Sequence, residues 1–226
     1  MPPSGHLPPR VLVIAGSDSG GGAGIQADIK TITMLGGFAM TAITAVTAQN
    51  TQGVHGIHPI PTAMIRQQIA CVMEDIGADI IKIGMLGTAD ITHAVADAMD
   101  EYSADTPLVL DPVMQAKAAR HIAALGAKAV LVKGGHLYDA SSPHIITNLL
   151  YAENHCTLFK TPRIDSPHTH GTGCTLASAI ATGLAQGMNL PAAITRAEAY
   201  VHGAIHNAPA YGQGHGPMHH GWTLLC

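Results

Sequence analysis

The chain has 226 residues, of which 47% are hydrophobic and 12% are charged, and its formal net charge is −4. The length favours one α/β domain with a large core, and the lack of any basic run longer than a pair excludes the electrostatic footprint of a nucleic-acid-binding protein. Four widely spaced cysteines without a CxxC pair indicate free thiols in a reducing compartment. No stretch predicts a signal peptide or a membrane span, so we expect a cytoplasmic protein.

The first part of the chain alternates short apolar runs with segments of helical periodicity. Residues 11–16 predict a buried strand, and residues 24–37 predict a helix with one isoleucine-rich face. Further strands are predicted at 40–49, 79–86, 107–114 and 129–135, and further helices at 62–77, 88–102 (opening at Thr88) and 116–126. Because each strand is apolar on both faces, the alternation predicts a mostly parallel central sheet with helices on both sides, a three-layer αβα fold.

The pattern changes after Lys133. Residues 144–153 and 155–164 predict an antiparallel pair of strands around Asn154, and two helices and a Gly- and His-rich tail follow. Since neither a repeat nor a linker interrupts the chain, we predict a single domain over residues 1–226.

The sequence HGTGC, residues 170–174, precedes a long helix rich in alanine and leucine. A turn formed by Gly171, Thr172 and Gly173 at a helix N-terminus directs backbone N–H groups to one point, and the helix dipole adds positive potential there. This arrangement favours an anion site that accepts a phosphate group. Cys174 falls in the first helical turn, where the same field predicts a lowered thiol pKa and a role as base for a substrate hydroxyl. A glycine-rich turn beside a buried, inert cysteine is the structural alternative.

A second glycine-rich segment, SDSGGGAG at residues 17–24, lies between the first strand and the first helix. It contains part of a dinucleotide-binding pattern, but the acidic residue expected after the next strand is missing, which disfavours hydride transfer. We expect instead that Gly16, Asp18 and this loop shape a pocket for a small polar molecule at the C-terminal edge of the sheet.

Polar or soft side chains follow several of the predicted strands. The Gln49 amide suits the edge of a heterocycle, and Met85 can pack on a flat ring. Asp111 suits Mg²⁺ or a metal-bound water, and Lys133 suits a phosphate group. Each residue taken alone is equally consistent with turn formation or packing, but their convergence on one edge of a parallel sheet predicts a ligand site.

The histidines form clusters at residues 168–170 and 215–220. Neither cluster has a carboxylate or thiol pair at metal-ligand spacing, so surface or loop histidines are favoured over a metal site. No GxxxxGK[ST] phosphate-binding sequence occurs in the chain.

Several segments match one family of small-molecule kinases, in the same order along nearly the whole chain. They are AGSDSGGGAGIQADIKT (15–31), AVTAQNTQGV (45–54), KIGML (82–86), LDPVM (110–114), VLVKGGH (130–136), HGTGCTLASAIA (170–181) and GHGPMHH (214–220). On these residues the chain resembles the bacterial hydroxymethylpyrimidine/phosphomethylpyrimidine kinases of thiamine biosynthesis, in the ribokinase-like superfamily. Pyridoxal kinases of the same superfamily typically have GTGD where this chain has GTGC.

The resemblance implies ATP- and Mg²⁺-dependent phosphorylation of 4-amino-5-hydroxymethyl-2-methylpyrimidine and then of its monophosphate, by a homodimer. It implies that Cys174 is the catalytic base, that Gln49 bonds the aminopyrimidine edge, and that an anion hole precedes Cys174. The anion hole would comprise Gly171, Thr172 and Gly173, the substrate pocket would be lined by Gly16, Asp18, Asp28 and Met85, and the ATP phosphates and metal would lie near Asp111 and Lys133.

The chain departs from the family after LDPVM. The family continues with a loop, a helix, a strand ending in Asn-x-x-Glu and another helix, whereas here residues 115–135 lead directly to the KGG strand. The missing polar pair normally orders Mg²⁺ and phosphates, so the departure implies a sheet one strand narrower and a weakened or absent kinase activity. A non-catalytic pyrimidine-binding protein and a kinase for pyridoxal-type alcohols are the alternatives.

Overall fold

The computed structural model describes residues 7–111, 119–135 and 143–225. The chain divides into two compact units, one made of residues 1–112 and 166–226 and one made of residues 113–165. Each unit is described separately, and the single-domain organisation stays a prediction. Parts of the segments expected at 107–114 and 116–126, and the last residue of VLVKGGH, lie outside the described residues.

A parallel sheet forms the centre of the first unit. Its strands are β1 (Arg10–Ala15), β2 (Phe38–Ile43), β5 (Ile80–Ile83) and β6 (Leu108–Leu110), in the order β2-β1-β5-β6. Every pairing in this described sheet is parallel. The predicted parallel sheet is therefore confirmed, and its central strand β1 is the apolar run that follows the N-terminal segment.

Helices cover both faces of this sheet. They are α1 (Gly24–Met34), α2 (Thr62–Asp75), α3 (Ala89–Tyr102), α5 (Thr172–Ala185) and α6 (Leu190–His206). The expected start of α3 is confirmed, because the Thr88 hydroxyl accepts a hydrogen bond from the Ile91 amide at 3.2 Å. None of the described helices is long and apolar enough to cross a bilayer.

Alternate residues of β1 point into two separate cores. Leu12 and Ile14 pack in a cluster that includes Ile65 of α2 and Val95 of α3. Val11, Val13 and Ala15 pack in a second cluster, with members from α1 and α5. Because successive strand residues face opposite sides of a sheet, the two clusters place one helical layer on each side and confirm the αβα arrangement.

The segment predicted as the second strand forms two strands instead of one. After β2 ends at Ile43, residues Ala45–Asn50 form β3, which pairs with β4 (Gly53–Pro59) in a separate antiparallel hairpin. The Asn50 side chain accepts hydrogen bonds from the amides of Gln52 and Gly53 at 2.9 and 3.2 Å and stabilises the turn. Gln49 therefore lies on a hairpin and not at the end of a strand of the parallel sheet.

The second unit is built around an antiparallel sheet, β7 (Ala129–Val132), β8 (Ile145–Ala152) and β9 (His155–Pro162), with α4 (Ala119–Ala124) before it. The expected antiparallel pair is confirmed, since β8 and β9 pair along their full lengths. The predicted fifth parallel strand, β7, pairs antiparallel with β8, and in the described sheets it is not a member of the parallel one. The sequence showed that β7 is a strand, but its direction relative to its neighbour depends on the course of the chain between them.

Candidate active site

A tight turn at the start of α5 forms the base of the candidate site. Gly171 is the N-cap residue with φ +86°, and its carbonyl accepts the Thr175 amide at 2.9 Å. A Cβ atom at Gly171 would overlap the carbonyl oxygen of Gly22, so only glycine fits this approach. The amides of Thr172, Gly173 and Cys174 have no intrahelical acceptors, although that of Thr172 donates to the Thr169 carbonyl at 3.3 Å, and the helix dipole makes this end positive. The geometry of Gly171, Thr172 and Gly173 thus suits an anion.

Asp18 organises the glycine-rich loop that packs against this turn. Its carboxylate accepts hydrogen bonds from the amides of Gly20, Gly22 and Ala23 at 2.8, 3.1 and 2.8 Å, and the residue is 2% exposed. Burial alone raises the pKa of Asp18, but the hydrogen bonds from His170, Ala23 and Gly20 outweigh it, and the pKa lies below its ordinary value. Its carboxylate oxygens are thus already engaged by the loop, and its predicted part in lining the pocket stays a prediction.

His170 connects the loop, the turn and the hairpin, a role that the sequence did not reveal. Its Nε2 atom lies 2.9 Å from Asp18 Oδ2 and 3.2 Å from the side-chain nitrogen of Gln49. The only signal of this role in the sequence is the position of His170 directly before the glycine turn, which does not distinguish it from the other loop histidines.

The hairpin strand β3 is bonded to the same loop. The Ser19 hydroxyl donates to the Gln49 carbonyl and accepts from the Gln49 amide, both at 2.7 Å. Ser17 is bonded similarly, since its hydroxyl accepts from the Thr47 amide at 3.2 Å and its carbonyl accepts from the Thr47 hydroxyl at 2.9 Å. The half-buried Gln49 is therefore held beside the glycine-rich loop by its backbone, and its predicted part in ligand recognition stays a prediction.

Gly16 and Met85 lie together at the end of the parallel sheet. A Cβ atom at Gly16 would stand 2.9 Å from the Met85 methyl carbon, and the Thr44 hydroxyl donates to the Met85 carbonyl at 3.0 Å. Met85 is 44% exposed, and its predicted packing on a bound ring stays a prediction. The structure thus brings these two predicted residues together.

A buried ion pair lies below the glycine turn. Lys82 Nζ is 3.0 Å from both carboxylate oxygens of Asp28, and the Ser178 hydroxyl donates to Asp28 Oδ1 at 2.6 Å. Both charged side chains are fully buried. Asp28 is thus fully engaged in this buried pair, and its predicted place in the pocket lining stays a prediction. Lys82 lies inside β5 and not at its end. Its ammonium group points into the core, where it pairs with Asp28.

The ionisation of this pair favours a charged lysine. Burial by itself lowers the pKa of Lys82, but the charge and hydrogen bonds of Asp28 outweigh it, and with a contribution from Asp111 the pKa is raised. Burial raises the pKa of Asp28, and Lys82 and Ser178 oppose that effect. The charge of Lys82 therefore persists at neutral pH, and the adjacent Asp28 carboxylate offsets its potential at the turn.

The expected lowering of the Cys174 pKa is wrong. Burial raises the pKa of this thiol, and although Lys82 and the Gly24 amide oppose the rise, the nearby Asp28 and Asp111 add to it. The sequence indicated the helix field correctly but gave no measure of burial, which penalises the thiolate. Cys174 is therefore a neutral thiol in the chain without ligands.

Asp111 and Lys133 belong to different units. Asp111 follows β6, and its charge acts on Asp28, Lys82 and Cys174, so the structure places it in the same electrostatic neighbourhood as the base position. Lys133 is an exposed residue that follows β7 in the second unit, and its phosphate contact stays a prediction. Among the described residues no group of three or more His, Cys, Asp or Glu side chains could hold a metal ion.

The parallel sheet, its two helical layers and the anion turn at α5 define the ribokinase-like class of α/β proteins. A solved pyridoxal kinase of Bacillus subtilis in complex with ADP is 31% identical, with a TM-score of 0.88 over 97% of this chain and 100% of that chain. A phosphomethylpyrimidine kinase of Clostridium difficile is also 31% identical, with a TM-score of 0.73 over 87% of this chain and 99% of its own.

The family model described as Phosphomethylpyrimidine kinase matches residues 18–120 and 115–219. The hydroxymethylpyrimidine/phosphomethylpyrimidine kinase of Streptomyces coelicolor is 39% identical over 265 residues, covering 96% of this chain and 96% of that protein. The corresponding protein of Haemophilus influenzae is 40% identical over 262 residues, covering 93% and 96%. The chain belongs to the phosphomethylpyrimidine kinase family.

The relatives contain residues that this chain lacks. The alignment to the Streptomyces coelicolor protein extends over 265 residues, more than the 226 residues of this chain. The family model matches in two segments that meet at residues 115–120. The comparison with relatives therefore confirms the prediction that this chain lacks a segment after LDPVM, near the boundary of the two units.

Proposed function

We propose that the protein phosphorylates 4-amino-5-hydroxymethyl-2-methylpyrimidine, and then its monophosphate, with ATP as donor. The observation that carries this proposal is the contact, within the first unit, between the glycine turn at the start of α5 and the glycine-rich loop. A glycine turn suited to phosphate at the start of α5 packs against the loop that holds Gln49. Ring recognition and phosphate handling are thereby within reach of one small substrate. Membership of the kinase family supports the reaction type.

The proposed roles follow from the chemistry of each group. The Gln49 amide offers a donor and an acceptor to the aminopyrimidine edge, and Met85 packs on the ring. The first-turn amides stabilise the charge of the transferring phosphoryl group, and the buried Lys82–Asp28 pair supports the helix that carries them. Because phosphoryl transfer depends mostly on position and charge neutralisation, these groups supply most of what the reaction needs from the protein.

Cys174 is the proposed base for the substrate hydroxyl. Its raised pKa means that the free thiol is poorly ionised, so deprotonation must be favoured by the charges that arrive with the substrates. In a loose transition state the hydroxyl proton leaves late, and a modest base suffices. The first turn of α5 holds the sulfur at a fixed place, which is the larger contribution to the reaction.

Mg²⁺ is the metal proposed to lie near Asp111, which follows β6. The Asp111 carboxylate would supply the hard oxygen ligands that Mg²⁺ prefers, and the ion commonly uses one or two carboxylates together with water and substrate phosphates. The bound ion would neutralise charge on the ATP phosphates. The proposed part of this chain is to hold the Asp111 carboxylate and the positive Lys82 in one neighbourhood.

Turnover with the pyrimidine, ATP and Mg²⁺ in a coupled assay tests the proposal. The wild-type chain should release ADP only when the pyrimidine is present, and Cys174→Ala should lose about 10²-fold or more in kcat, as general-base variants do. Ala204→Ser, in the buried face of α6, is a control for small core changes. A Cys174→Ala variant with the kcat of the wild type contradicts the assigned base.

A non-catalytic pyrimidine-binding protein is the second candidate. The observation that favours it is the longer alignment of the kinase relatives, which means that the relatives have residues that this chain lacks, and the family model divides near 115–120. Isothermal titration separates the two functions. A binder takes up the pyrimidine with an affinity that does not respond to Mg²⁺-ATP and shows no turnover, whereas rates like those of the relatives contradict any impairment.

A pyridoxal-type alcohol is a further substrate candidate, favoured by the TM-score of 0.88 to a pyridoxal kinase. Competition between the pyrimidine and pyridoxal in one ADP-release assay ranks them. The assignment to the pyrimidine predicts the higher kcat/KM for that alcohol.

The assembly and location of the protein stay predictions. We expect a homodimer, which light scattering of the purified chain tests, and a cytoplasmic location, which fractionation of cells expressing the protein tests. A monomer at micromolar concentration contradicts the first of these expectations.

A further inference from the structure

Three segments of the first unit meet at His170. Its Nε2 atom lies 2.9 Å from Asp18 in the glycine-rich loop and 3.2 Å from the Gln49 amide nitrogen in the hairpin. Its backbone forms an isolated bridge to Pro217 in the C-terminal tail. The next residue in the chain is Gly171, the first residue of the anion turn.

Asp18 fixes the orientation of the imidazole ring. Its carboxylate is held by three backbone amides of the loop, and its side chain is 3% exposed, so it is a rigid acceptor. A carboxylate accepts only, so the contact requires a proton on the His170 Nε2 atom. The ring therefore donates to Asp18 and has one defined orientation.

This orientation determines how the ring acts on Gln49. Because the Nε2–H group of His170 already donates to Asp18, the ring nitrogen has no lone pair for the Gln49 amide. The 3.2 Å approach of the two nitrogens is therefore a packing contact and not a hydrogen bond. The amide hydrogens of Gln49 remain suited to a ligand edge, and the ring beside them limits the rotamers that the Gln49 side chain can adopt.

The contact between ring and loop is close. A Cβ atom at Gly22 would stand 2.7 Å from the His170 Cδ2 atom, so only a residue without a side chain leaves room for the imidazole. The neighbouring Gly171 packs equally closely on the carbonyl of Gly22. A displacement of the ring would therefore move the glycine-rich loop and the anion turn together.

We propose that His170 is a positioning residue that couples ring recognition at Gln49 to the geometry of the anion turn. This inference rests on the proposed function, because the ring to be recognised is that of the pyrimidine substrate. His170 acts through Gln49 and through the turn, and it is not a catalytic residue.

A double-mutant cycle with 4-amino-5-hydroxymethyl-2-methylpyrimidine as the probe tests the coupling. Its dissociation constant is measured by calorimetry for wild type, His170→Ala, Gln49→Ala and the double variant. If His170 acts through Gln49, each single change weakens binding about tenfold and the double variant is no more than about twofold weaker than Gln49→Ala. The proposal is overturned if the dissociation constant of the double variant rises by the product of the two single factors.

A matched pair of variants separates positioning from packing. His170→Gln keeps an N–H donor for Asp18, whereas His170→Leu has a similar volume and no donor. We expect affinity and kcat/KM to recover partly in the glutamine variant only, and equal values in both overturn the proposal. This pair decides the question if the alanine variant does not fold.

His215→Ala is the control, since its ring bonds to the Pro167 carbonyl at 3.2 Å instead of to Asp18 or Gln49. It should bind the pyrimidine like the wild type, and a loss equal to that of His170→Ala overturns the assignment to His170. A wild-type chain that neither binds nor phosphorylates the pyrimidine overturns the proposed function and this inference with it. Binding by wild type with independent effects of the two changes overturns this inference alone.

Discussion

Two buried carboxylates near the start of α1 are stabilised in different ways. Asp18 is 2% exposed and is surrounded by backbone amides of its own loop, with His170 as the distant donor. Asp28 is fully buried and relies on Lys82 and Ser178, both far away in the sequence. The loop around Asp18 is therefore a largely local structure, whereas the surroundings of Asp28 exist only when α1, β5 and α5 are packed together.

The two carboxylates consequently differ in the direction of their pKa shifts. Burial is the largest single influence on both groups, but the combined hydrogen bonds outweigh it at Asp18 and lower the pKa, whereas at Asp28 burial prevails and raises the pKa. The amides around Asp18 belong to residues within five positions of it, so bringing them to the carboxylate requires little additional ordering of the chain. A lysine ammonium must itself be removed from water, so it compensates a buried carboxylate less completely.

Removing the Lys82 charge should give the largest loss of stability, on the Asp28 side of the comparison. Lys82→Met leaves the Asp28 carboxylate buried without its counter-charge, and we expect a loss of about 3–5 kcal/mol in the free energy of unfolding. Urea denaturation followed by circular dichroism measures it.

The double variant Lys82→Met/Asp28→Asn removes both charges and should recover most of that loss, because an uncharged pair needs no compensation. A single variant that unfolds with the free energy of the wild type would mean that Asp28 is already protonated in the native chain.

Gly171→Ala should give the next largest effect, on the Asp18 side of the comparison. An alanine at this position must adopt the left-handed backbone conformation of Gly171, with φ +86°, and its Cβ atom would overlap the Gly22 carbonyl. We therefore expect a loss of about 2–4 kcal/mol in the free energy of unfolding. The anion turn should also be displaced, and pyrimidine-dependent turnover should disappear.

Gly187→Ala is the matched control for this change. Gly187 also has a left-handed backbone, at φ +82°, but nothing lies within 4 Å of its added Cβ. Its cost should be limited to conformational strain of about 1–2 kcal/mol, and turnover per folded molecule should stay at the wild-type rate. Equal losses in both variants would show that the contact with Gly22 is unimportant.

Asp18→Asn should give a smaller loss, with a distinctive pH dependence. The substitution removes the negative charge that accepts hydrogen bonds from the loop amides. It should lower the free energy of unfolding by about 1.5–3 kcal/mol at neutral pH. Because the pKa of Asp18 is lower in the folded chain than in the unfolded one, its stabilisation is present above the unfolded pKa and is lost as pH falls through the folded pKa.

Chemical denaturation of wild type and Asp18→Asn across the acid range checks this sign. The difference between the two chains should shrink as the pH falls, because the wild-type carboxylate becomes protonated. The comparison with Asp28 fails if the difference stays constant down to the most acidic condition in which both chains fold.

The smallest effect concerns the reactivity of the Cys174 thiol. Its raised pKa predicts that alkylation by iodoacetamide, followed by mass spectrometry, rises only at a pH above the ordinary range for a thiol. The exposed Cys71 and Cys156 in the same chain provide the internal reference. A midpoint for Cys174 below that of these two cysteines would restore the lowered pKa that the helix field suggested.

Much of the candidate site could be predicted from the sequence because its signals are local. The turn at Gly171, the glycine-rich loop around Asp18 and the periodicity of the helices depend on residues close together in the chain. The motif around LDPVM also revealed a difference from relatives that the alignments confirm. His170 was missed because a histidine before a glycine turn carries no signal of the residues it will contact.

The amino-acid sequence by itself determined the alternation of strands and helices and the glycine turn that begins α5, because both depend on side chains within a few positions of one another. Only the tertiary structure decided that Lys82 pairs with Asp28, that β3 leaves the parallel sheet, and that burial raises the pKa of Cys174. Burial and strand pairing depend on residues that are distant in the chain, and a pattern of neighbouring residues contains no record of them.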